Sequence, residues 1–419
     1  MKVGIIGSGG REHALCLSIK KSPKVNKIYC FPGNAGTSDI AENIEIDLSD
    51  FNKIKEFSIK NEISLLIVGP EKPLVDGIVD FFSDTEINIF GPDKISSQLE
   101  GSKIFTKKIC EKYKIPTAKF GIFENSDDAI SFLDKTQFPL VVKADGLASG
   151  KGVYICENKD DANLAIKEVF DGKFGLAKNI LLEEFLVGEE MSYFIISDGK
   201  EIQSFETAQD HKRVLEGDKG ANTGGMGAYS PAPIVTDEVN KKIMDQVIIP
   251  TIEGMKKEGI EFSGFLYAGI IVDPNKNIKT LEFNCRMGDP ETQPLLFRMQ
   301  SDLFSVLFKA AKQELEGVEI NWDKQHAITI VMASKDYPIK PILGDEINLP
   351  NIQDDSTFIF HAGTNIENSK IMTSGGRVLG VTAKGRTLEI AKNKAYDVLK
   401  KIDFNGAQFR TDIGKKALN

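Results

Sequence analysis

Residues 141–155, VVKADGLASGKGVYI, combine three glycines with two lysines after an apolar run. Glycine lets backbone N–H groups approach a ligand closely, and a lysine beside such a loop is typical of phosphate binding. The P-loop pattern is not satisfied, because Gly152 follows Lys151 where that motif has Ser or Thr. The stretch therefore predicts a phosphate-binding loop of another kind. A plain hairpin with solvated lysines is the alternative.

A second cluster, LEFNCRMGDPETQP at 281–294, places a carboxylate, an amide and a guanidinium at alternate positions. Along an extended strand Glu282, Asn284 and Arg286 share one face, because strand side chains alternate with a period of two. Carboxylate and amide oxygens suit Mg²⁺, and an arginine just beyond them would meet the charge of a transferring phosphoryl group. The cluster predicts a metal-assisted phosphoryl-transfer site, with a polar edge strand as the alternative.

The acidic pairs of LLEEFLVGEEMSYFII, at 183–184 and 189–190, flank a short apolar connector. A carboxylate or carbonyl oxygen there could accept from the amino group of an adenine, and a second carboxylate from a ribose hydroxyl. A solvated turn between two strands is the alternative. Together with the two clusters above, the connector favours a nucleotide site.

The N-terminal turn, GIIGSGGREHA at 4–14, first suggests a dinucleotide fingerprint. That motif fails, because Glu12 stands in place of its third glycine and no acidic residue ends the second predicted strand. The turn can still bind a phosphate through N–H groups at a helix N-terminus, with the Arg11 guanidinium as a charged fork. A tight turn needed only for packing is the alternative.

Strands and helices alternate over the first hundred residues. Strands are predicted at 2–6, 27–31, 63–68 and 87–90, and a helix is predicted over 11–20, after the first glycine turn. This alternation predicts a parallel, doubly wound α/β sheet, whose ligand crevice lies outside the carboxyl ends of the strands.

A second unit begins at Ile115-Pro116-Thr117, after a helix predicted at 96–113. The stretch 210–233 shows little periodicity and predicts a functional loop or a linker. The remaining strands are predicted at 119–123, 139–143, 153–156, 180–184, 263–272, 278–283, 326–333, 357–361 and 376–383. The remaining helices are predicted at 127–135, 160–170, 236–257 and 386–401.

Composition limits the functional classes. With 61 acidic and 52 basic residues and a net charge of −9, broad binding to nucleic acid or to an acidic membrane is not expected. Five scattered cysteines without a C-x-x-C pair disfavour a disulfide framework and a zinc site, which suits a cytoplasmic protein. Neither a signal peptide nor an apolar stretch of membrane-spanning length is predicted.

The order of these motifs resembles that of the ATP-grasp ligases. It consists of two lysines, a glycine-rich flap, an acidic connector and E-x-N on a strand. More closely, the chain resembles the phosphoribosylamine–glycine ligase family of purine biosynthesis. The motifs that carry this likeness span residues 32–383 and read PGNAGT, VGPEKPLVDGI, QLEGSK, KADGLASGKGV, EEFLVGEE, QDHKR, NTGGMGAYSPAP, EFNCRMGDPETQ, HAGT and GGRVLGVTA.

The resemblance implies three domains of α/β and α+β elements. An N-terminal doubly wound substrate domain would cover 1–102, and a small C-terminal α/β domain would cover 326–419. Between them a two-part ATP-grasp domain would cover 103–325, with a lid subdomain over the ATP at 118–190.

The resemblance also implies roles for particular residues. ATP binding is implied for Lys103, Lys143, Gly146, Ser149, Gly150, Lys151, Gly152, Glu183, Leu186 and Glu190. Glu282 and Asn284 would hold Mg²⁺ or Mn²⁺. Substrate binding is implied for Gly9, Gly10, Arg11, Glu71, Asp210, Asp289 and Arg377. Catalytic roles are implied for Arg286, which would face an acyl phosphate, and for Lys212.

One departure from the ATP-grasp pattern concerns the metal. Many of these enzymes have a second metal carboxylate shortly before the E of E-x-N, whereas residues 268–271 read Ala-Gly-Ile-Ile here. Either phosphate oxygens and waters complete the metal shell, or an acid from elsewhere contributes. Weaker metal binding before ATP arrives is therefore expected.

The implied reaction is ATP-dependent ligation of glycine to 5-phosphoribosylamine through a glycyl phosphate. Such a protein orients its substrates and stabilises charge, so no Ser–His–Asp or Cys–His arrangement is needed, and His211 would at most orient Lys212. A monomer or weak homodimer is expected, without nucleic-acid or membrane partners.

Two other interpretations compete with this one. A different ligase of the same superfamily is disfavoured by QDHKR together with NTGGMGAYSP, a stretch in which the branches differ most. A non-catalytic nucleotide sensor is disfavoured by Lys143, Glu282, Asn284 and Arg286, because a sensor could lose its metal and phosphoryl-transfer groups.

Overall fold

The computed structural model describes residues 1–147, 152–173, 175 and 178–418. The expectations for Ser149, Gly150 and Lys151 therefore lie outside the described residues. No helix in these ranges is both long and apolar enough to cross a bilayer.

The elements follow the predicted alternation closely. The strands are β1 Lys2–Gly7, β2 Lys27–Pro32, β3 Glu42–Asn43, β4 Leu65–Val68, β5 Asn88–Phe90, β6 Phe120–Phe123, β7 Leu140–Ala144, β8 Val153–Cys156, β9 Ile180–Glu184, β10 Glu189–Asp198, β11 Ile202–Ser204, β12 Gln209–Asp210, β13 Arg213–Leu215, β14 Lys219–Asn222, β15 Gly227–Ser230, β16 Ser263–Val272, β17 Ile278–Asn284, β18 His326–Ala333, β19 Thr357–His361, β20 Thr364–Glu367, β21 Lys370–Thr373 and β22 Arg377–Gly385. The α-helices are α1 Gly10–Lys20, α2 Phe51–Lys60, α3 Glu71–Asp76, α4 Ile78–Phe81, α5 Gln98–Gly101, α6 Lys103–Lys112, α7 Ser126–Phe132, α8 Lys159–Phe170, α9 Asp237–Ile243, α10 Ile249–Lys257, α11 Thr292–Arg298, α12 Leu303–Ala311 and α13 Leu388–Leu399.

The first sheet confirms the predicted doubly wound arrangement. Its five strands are all parallel and lie in the order β3-β2-β1-β4-β5. Strand β4 is buried along its whole length and β1 from Val3 onward, as expected for apolar strands covered on both faces. The turn after Gly7 leaves the sheet at its carboxyl edge, next to the end of β4, and begins α1 there.

Two antiparallel sheets form the middle of the chain. The sheet β6-β9-β7-β8 packs against α7 and α8 through a small apolar core around Val142 and Ile166. The sheet β11-β10-β16-β17 packs against α9 and α10 around Leu266 and Val247. Residues 185–188 run from β9 in the first of these sheets to β10 in the second, so the predicted acidic connector joins the two.

The segment 210–233 is not the aperiodic loop that its composition predicted. Strands β12 and β15 pair with each other and extend the C-terminal sheet, whose order is β12-β15-β18-β22-β19, while β13 and β14 form a hairpin between them. Each of these strands has only two to four residues. They are too short to show a period of their own, and β15 pairs with residues 327–330, far along the chain.

Two predicted helices are interrupted. The helix expected at 96–113 divides into α5 and α6 at Ser102, whose hydroxyl accepts a hydrogen bond from the N–H of Phe105 at 3.1 Å and caps α6. The helix expected at 236–257 contains a π-helical turn at Met244–Ile248, just before Pro250, which has no N–H to donate. The first interruption makes Lys103 the first residue of α6.

The end of the chain is bound to the β13-β14 hairpin. The guanidinium of Arg410, which is 1% exposed, lies 2.7 Å from Asp412 Oδ1 and 2.9 Å from Asp218 Oδ1. It also donates to the carbonyl oxygen of Arg213 at 2.9 Å. Because Asp218 lies between β13 and β14, one buried cation ties the C-terminal segment to the hairpin that follows Asp210.

Replacement of Arg410 by Met is expected to lower the free energy of unfolding by about 2 kcal/mol, because two partly buried carboxylates lose their shared cation. Urea unfolding followed by circular dichroism measures this change. The control is Lys416→Met, which removes an exposed lysine from the same Asp218 and should change stability by less than about 0.5 kcal/mol. Equal losses in the two variants would contradict a special role for the buried guanidinium.

Candidate active site

The two predicted phosphate lysines approach one stretch of chain from different elements. Lys143 lies on β7, and its Nζ is 3.1 Å from Oε1 of Glu183 on β9. Lys103 begins α6, and its Nζ donates to the carbonyl oxygen of Gly146 at 2.7 Å. Burial lowers the pKa of Lys103, and Glu282 nearby opposes that effect. The structure thus brings both lysines to the start of the glycine-rich stretch.

The start of that stretch is also bonded to the N-terminus of α6. The Asp145 carboxylate accepts from the hydroxyl of Ser102 at 3.2 Å and from the N–H of Ile104 at 3.3 Å. On the far side of the stretch, the N–H of Ala144 donates to the carbonyl oxygen of Gly152 at 2.9 Å and continues the pairing of β7 with β8. Gly146 is therefore bonded to α6, and Gly152 is bonded to the end of β7.

The acidic residues on either side of the connector contact different lysines. The carboxylate of Glu183 faces Lys143 and a second lysine, Lys107. Leu186 lies half-buried in the connector itself. Glu190, at the start of β10, binds Lys212 with an Oε1–Nζ distance of 2.5 Å.

The predicted metal ligands lie on β17. The Nζ of Lys212 is 3.4 Å from Glu282 Oε1, and Asn284 Oδ1 accepts from the Arg286 guanidinium at 3.1 Å. Loss of hydration in the cleft would raise the pKa of Glu282, but Lys212, Lys143 and Lys103 outweigh it and lower the pKa to about 2. Glu282 is therefore an ionised oxygen donor at neutral pH.

These two oxygen donors fit a hard cation that takes its other ligands from phosphates and water. The residues with described placement contain no group of three or more His, Cys, Asp or Glu that could hold a metal. The register of β16 against β17 sets Gly269 opposite Glu282, and a Cβ added to Gly269 would lie 3.2 Å from Glu282 Cγ. The strand that faces Glu282 thus brings a glycine, not a second carboxylate, to this site.

Arg286, just after β17, contacts two carboxylates of the N-terminal part of the chain. Its Nη2 lies 2.7 Å from Oε1 of Glu100, and its Nε lies 3.4 Å from Oε2 of Glu71, at the start of α3. Burial would raise the pKa of Glu71, but Arg286 and Arg11 outweigh it and lower that pKa. Burial raises the pKa of Glu100 to about 7 although Arg286 opposes the shift.

Gly9 and Arg11, at the N-terminal turn, already donate to acceptors within the protein. Glu12 accepts from the N–H of Gly9 at 2.7 Å and from Nε of Arg11 at 2.6 Å. Arg11 also donates through Nη1 to the carbonyl oxygen of Met287 at 3.1 Å, and through its N–H to Asp289 at 3.2 Å. Glu12, the residue that breaks the dinucleotide motif, therefore caps α1, and a phosphate at this turn must exchange with it.

Asp289 joins the N-terminal turn to the C-terminal sheet. Gln293 donates to Asp289 Oδ1 at 2.9 Å, and a Cβ added to Gly10 would lie 2.4 Å from that Gln293 amide. Arg377, at the start of β22, donates to the carbonyl oxygens of Asp289 and Gly224, and its Nη1 is 3.6 Å from Asp289 Oδ1. Burial would raise the pKa of Asp289, but Arg377 and Arg11 lower it.

Asp210 and Lys212 lie beside a carboxylate that the sequence did not single out, Glu291. Burial and the charge of Glu291 raise the pKa of Asp210 well above its usual range. Burial would lower the pKa of Lys212, but Glu190 outweighs it and raises that pKa. Glu291 accepts from the hydroxyl of Ser192 on β10 at 3.0 Å, which holds its carboxylate in place.

The expectation that His211 orients Lys212 is wrong. Its Nε2 accepts from the N–H of Gly414 at 3.3 Å, and its Nδ1 lies 3.3 Å from the carbonyl oxygen of Gly227. The ring therefore lies against β15 and the C-terminal segment, and its two ring nitrogens are both paired there and not with Lys212. Burial lowers the pKa of His211 to about 4.

When the pH falls from 7 to 5, the free energy of unfolding of the wild-type protein is expected to decrease by about 2 kcal/mol more than that of His211→Gln. The folded pKa of about 4 lies below the unfolded value of about 6.5, so the unfolded state binds the extra proton in this window. The contribution is therefore present above pH 6.5 and is lost as the pH falls toward 4. Urea unfolding at both pH values measures the difference, and parallel pH dependences would contradict the assignment.

Three side chains of the site were missed from sequence, namely Glu100, Lys107 and Glu291. Glu100 lies within QLEGSK, and Glu291 lies within GDPETQ. Lys107 comes four residues after Lys103. The spacing of Lys103 and Lys107 was the available signal, because residues four apart share one helix face.

Lysines from one antiparallel sheet and from α6, together with an E-x-N strand in a second sheet, define an ATP-grasp enzyme, a class that uses ATP. The chain belongs to the phosphoribosylglycinamide synthetase family. The model of that family's N domain matches residues 1–100, its ATP-grasp (A) domain matches 101–292, and its C domain matches 327–416.

Individual relatives agree with this assignment. A phosphoribosylamine–glycine ligase of Ralstonia nicotianae is 46% identical over 421 residues, covering all of both chains. The crystal structure of the phosphoribosylamine–glycine ligase of Thermotoga maritima is similar with a TM-score of 0.86 and 32% identity, over 98% of this chain and 100% of that one. A biotin carboxylase of Campylobacter jejuni, 15% identical with a TM-score of 0.75 over 97% of this chain and 92% of its own, shares the fold alone.

Proposed function

We propose that the chain catalyses ATP-dependent ligation of glycine to 5-phospho-D-ribosylamine, giving glycinamide ribonucleotide, ADP and phosphate in de novo purine biosynthesis. Membership of the family supports this reaction. The observation that carries it is the position of Arg286, which contacts Asn284 of the E-x-N pair and Glu71 of the N-terminal domain. One guanidinium thus links the phosphoryl-transfer side of the cleft to the side proposed for the sugar substrate.

In the first step a carboxylate oxygen of glycine attacks the γ-phosphorus of ATP, the bond to the β-phosphate oxygen breaks, and ADP leaves. Lys103 and Lys143 neutralise the phosphates, and the connector at Leu186 and Glu190 holds the nucleoside. Mg²⁺ or Mn²⁺, held by Glu282 and Asn284, supplies further positive charge to the phosphate oxygens when it is bound.

In the second step the amine nitrogen of phosphoribosylamine attacks the acyl carbon, the bond to the phosphate oxygen breaks, and the nitrogen releases a proton. Arg286 stabilises the departing phosphate through charge and hydrogen bonds. Contacts with phosphoribosylamine are proposed for Gly9, Gly10, Arg11, Glu71, Asp289 and Arg377. Asp210 and Lys212 are proposed to contact glycine, because Lys212 lies 3.4 Å from Glu282 and Asp210 interacts with the charge of Lys212.

The domain division is proposed as 1–102, 103–325 and 326–419, with the ATP lid at 118–190. Strands β12 and β15 pair with the C-terminal sheet, so residues 209–230 connect the second and third of these domains. All five cysteines lie in the described part of the chain as buried thiols, which supports a cytoplasmic location. A monomer or weak homodimer is proposed as the working form.

The direct test is ADP release by the purified chain with glycine and freshly prepared phosphoribosylamine, each omitted in turn. Release that needs both substrates, together with mass-spectrometric detection of the amide product, is the expected result. Release that continues without phosphoribosylamine would indicate an uncoupled or different reaction. No release in any mixture would favour a nucleotide sensor.

Lys143→Ala is expected to reduce turnover about 100-fold, because the phosphates lose a buried ammonium group. Circular dichroism and thermal unfolding establish that the variant is folded, and coupled ADP detection measures the rate. Lys108→Met, at an exposed position of α6, is the control and should retain wild-type turnover. Wild-type rates in Lys143→Ala would exclude it from the nucleotide site.

Glu71→Gln is expected to raise KM for phosphoribosylamine about tenfold and to change KM for ATP less than twofold. An amide accepts hydroxyl hydrogen bonds more weakly than a carboxylate by about 1.5 kcal/mol, and Arg286 keeps its contact with Glu100. Steady-state kinetics with one substrate varied at a time measures both constants. Asp76→Asn, an exposed acid at the end of α3, is the matched control. Equal increases in both KM values would place Glu71 outside the sugar site.

A further inference from the structure

The carboxylate of Glu183 binds two ammonium groups in the interior of the protein. Its Oε1 lies 3.1 Å from Nζ of Lys143, and its Oε2 lies 3.1 Å from Nζ of Lys107. The side chains are 2%, 7% and 3% exposed, in that order, so all three groups are removed from water. The cluster carries two positive charges against one negative charge.

The two lysines differ in what else holds them. Lys107 also donates to the hydroxyl of Thr117 at 2.6 Å, and that hydroxyl donates in turn to the carbonyl oxygen of Thr280 at 2.8 Å. The Lys107 ammonium further lies 5.6 Å from the ring centroid of Phe120. Within the described residues, Glu183 is the sole side-chain partner of the Lys143 ammonium. Lys107 is thus anchored from three directions, and Lys143 is anchored by one carboxylate.

Nucleotide binding requires Lys143 to share its ammonium with a phosphate. If Glu183 had no other cation, this movement would leave a buried carboxylate unpaired, and removal of one partner from a buried ion pair is strongly destabilising. Lys107 remains on the carboxylate while Lys143 turns toward the nucleotide. The charge that Lys143 leaves behind is therefore still compensated.

We propose that Lys107 is a positioning residue, a fixed counter-charge on Glu183 that frees Lys143 for the phosphates of the nucleotide. Glu183 then serves as the common anchor of two lysines, and adenine recognition falls to other groups of the connector. The inference rests on the proposed function of Lys143. It adds Lys107, which begins the second turn of α6 after Lys103, to the groups that determine nucleotide affinity.

The test is a double-mutant cycle on the dissociation constant of a non-hydrolysable ATP analogue with Mg²⁺, measured by isothermal titration calorimetry. Lys107→Met should weaken binding at least tenfold, because Lys143 then becomes the only cation on Glu183. In a Glu183→Gln background, where no carboxylate holds Lys143, the same Lys107→Met change should weaken binding less than threefold. The difference between the two effects is the predicted coupling.

Two outcomes overturn the proposal. Equal effects of Lys107→Met in both backgrounds would mean that Lys107 acts only through its distant charge, and no effect in either would remove it from the site altogether. Failure of the wild-type chain to bind the analogue would instead contradict the proposed nucleotide site itself. Lys108→Met is the control for loss of a positive charge from α6 and should bind as wild type.

A second variant covers the case in which Lys107→Met does not fold. Lys107→Gln keeps hydrogen-bond donors for Glu183 and Thr117 while it removes the charge. It should weaken analogue binding in the same direction, and again only when Glu183 is a carboxylate. KM for glycine should stay within twofold of wild type in Lys107→Gln, a separation that a general loss of structure would not produce.

Discussion

The buried carboxylate of Glu183 has to satisfy two ammonium groups, and the organisation of the nucleotide cleft follows from that constraint. Lysines brought together to bind a polyphosphate repel one another and lose hydration, both of which lower their pKa values. Carboxylates placed among such lysines favour the charged form of the ammonium groups and orient them. Lys212 shows the converse arrangement, one ammonium group between two carboxylates, Glu190 and Glu282. In the proposed mechanism, nucleotide binding exchanges the partners of these lysines within a set of charges that is already arranged.

The same principle operates where the three parts of the chain meet. Asp289 accepts from the N–H of Arg11 at the N-terminal turn and lies beside Arg377 of the C-terminal sheet. Arg286, three residues earlier, contacts Glu71 and Glu100. The loop that follows the E-x-N strand is thus bonded to groups on either side of it. A substrate bound at the N-terminal turn would lie next to the strand that carries the proposed metal ligands, Glu282 and Asn284.

Sequence patterns predicted most of the strands and helices, because such patterns depend on residues that are close together in the chain. A buried parallel strand such as β4 is a continuous apolar run, and the period of two sets Glu282 and Asn284 on one face of β17. The same logic failed for residues 210–233, because β12 and β15 are too short to carry a pattern, and β15 pairs with β18, far along the chain. It also missed the interruption at Ser102, where a side-chain cap decides which residue begins α6.

The sequence by itself determined the parallel sheet, the order of the motifs and the residue types available for phosphate, metal and acyl-phosphate chemistry. Only the tertiary structure decided the partners of those residues: Lys143 with Glu183, 40 positions away, and Arg11 with Asp289, 278 positions away. Propensity and periodicity act between near neighbours in the chain, whereas charge and burial act through space. For that reason the clamping of Glu183 by Lys107 follows from the fold and could not be read from the motifs.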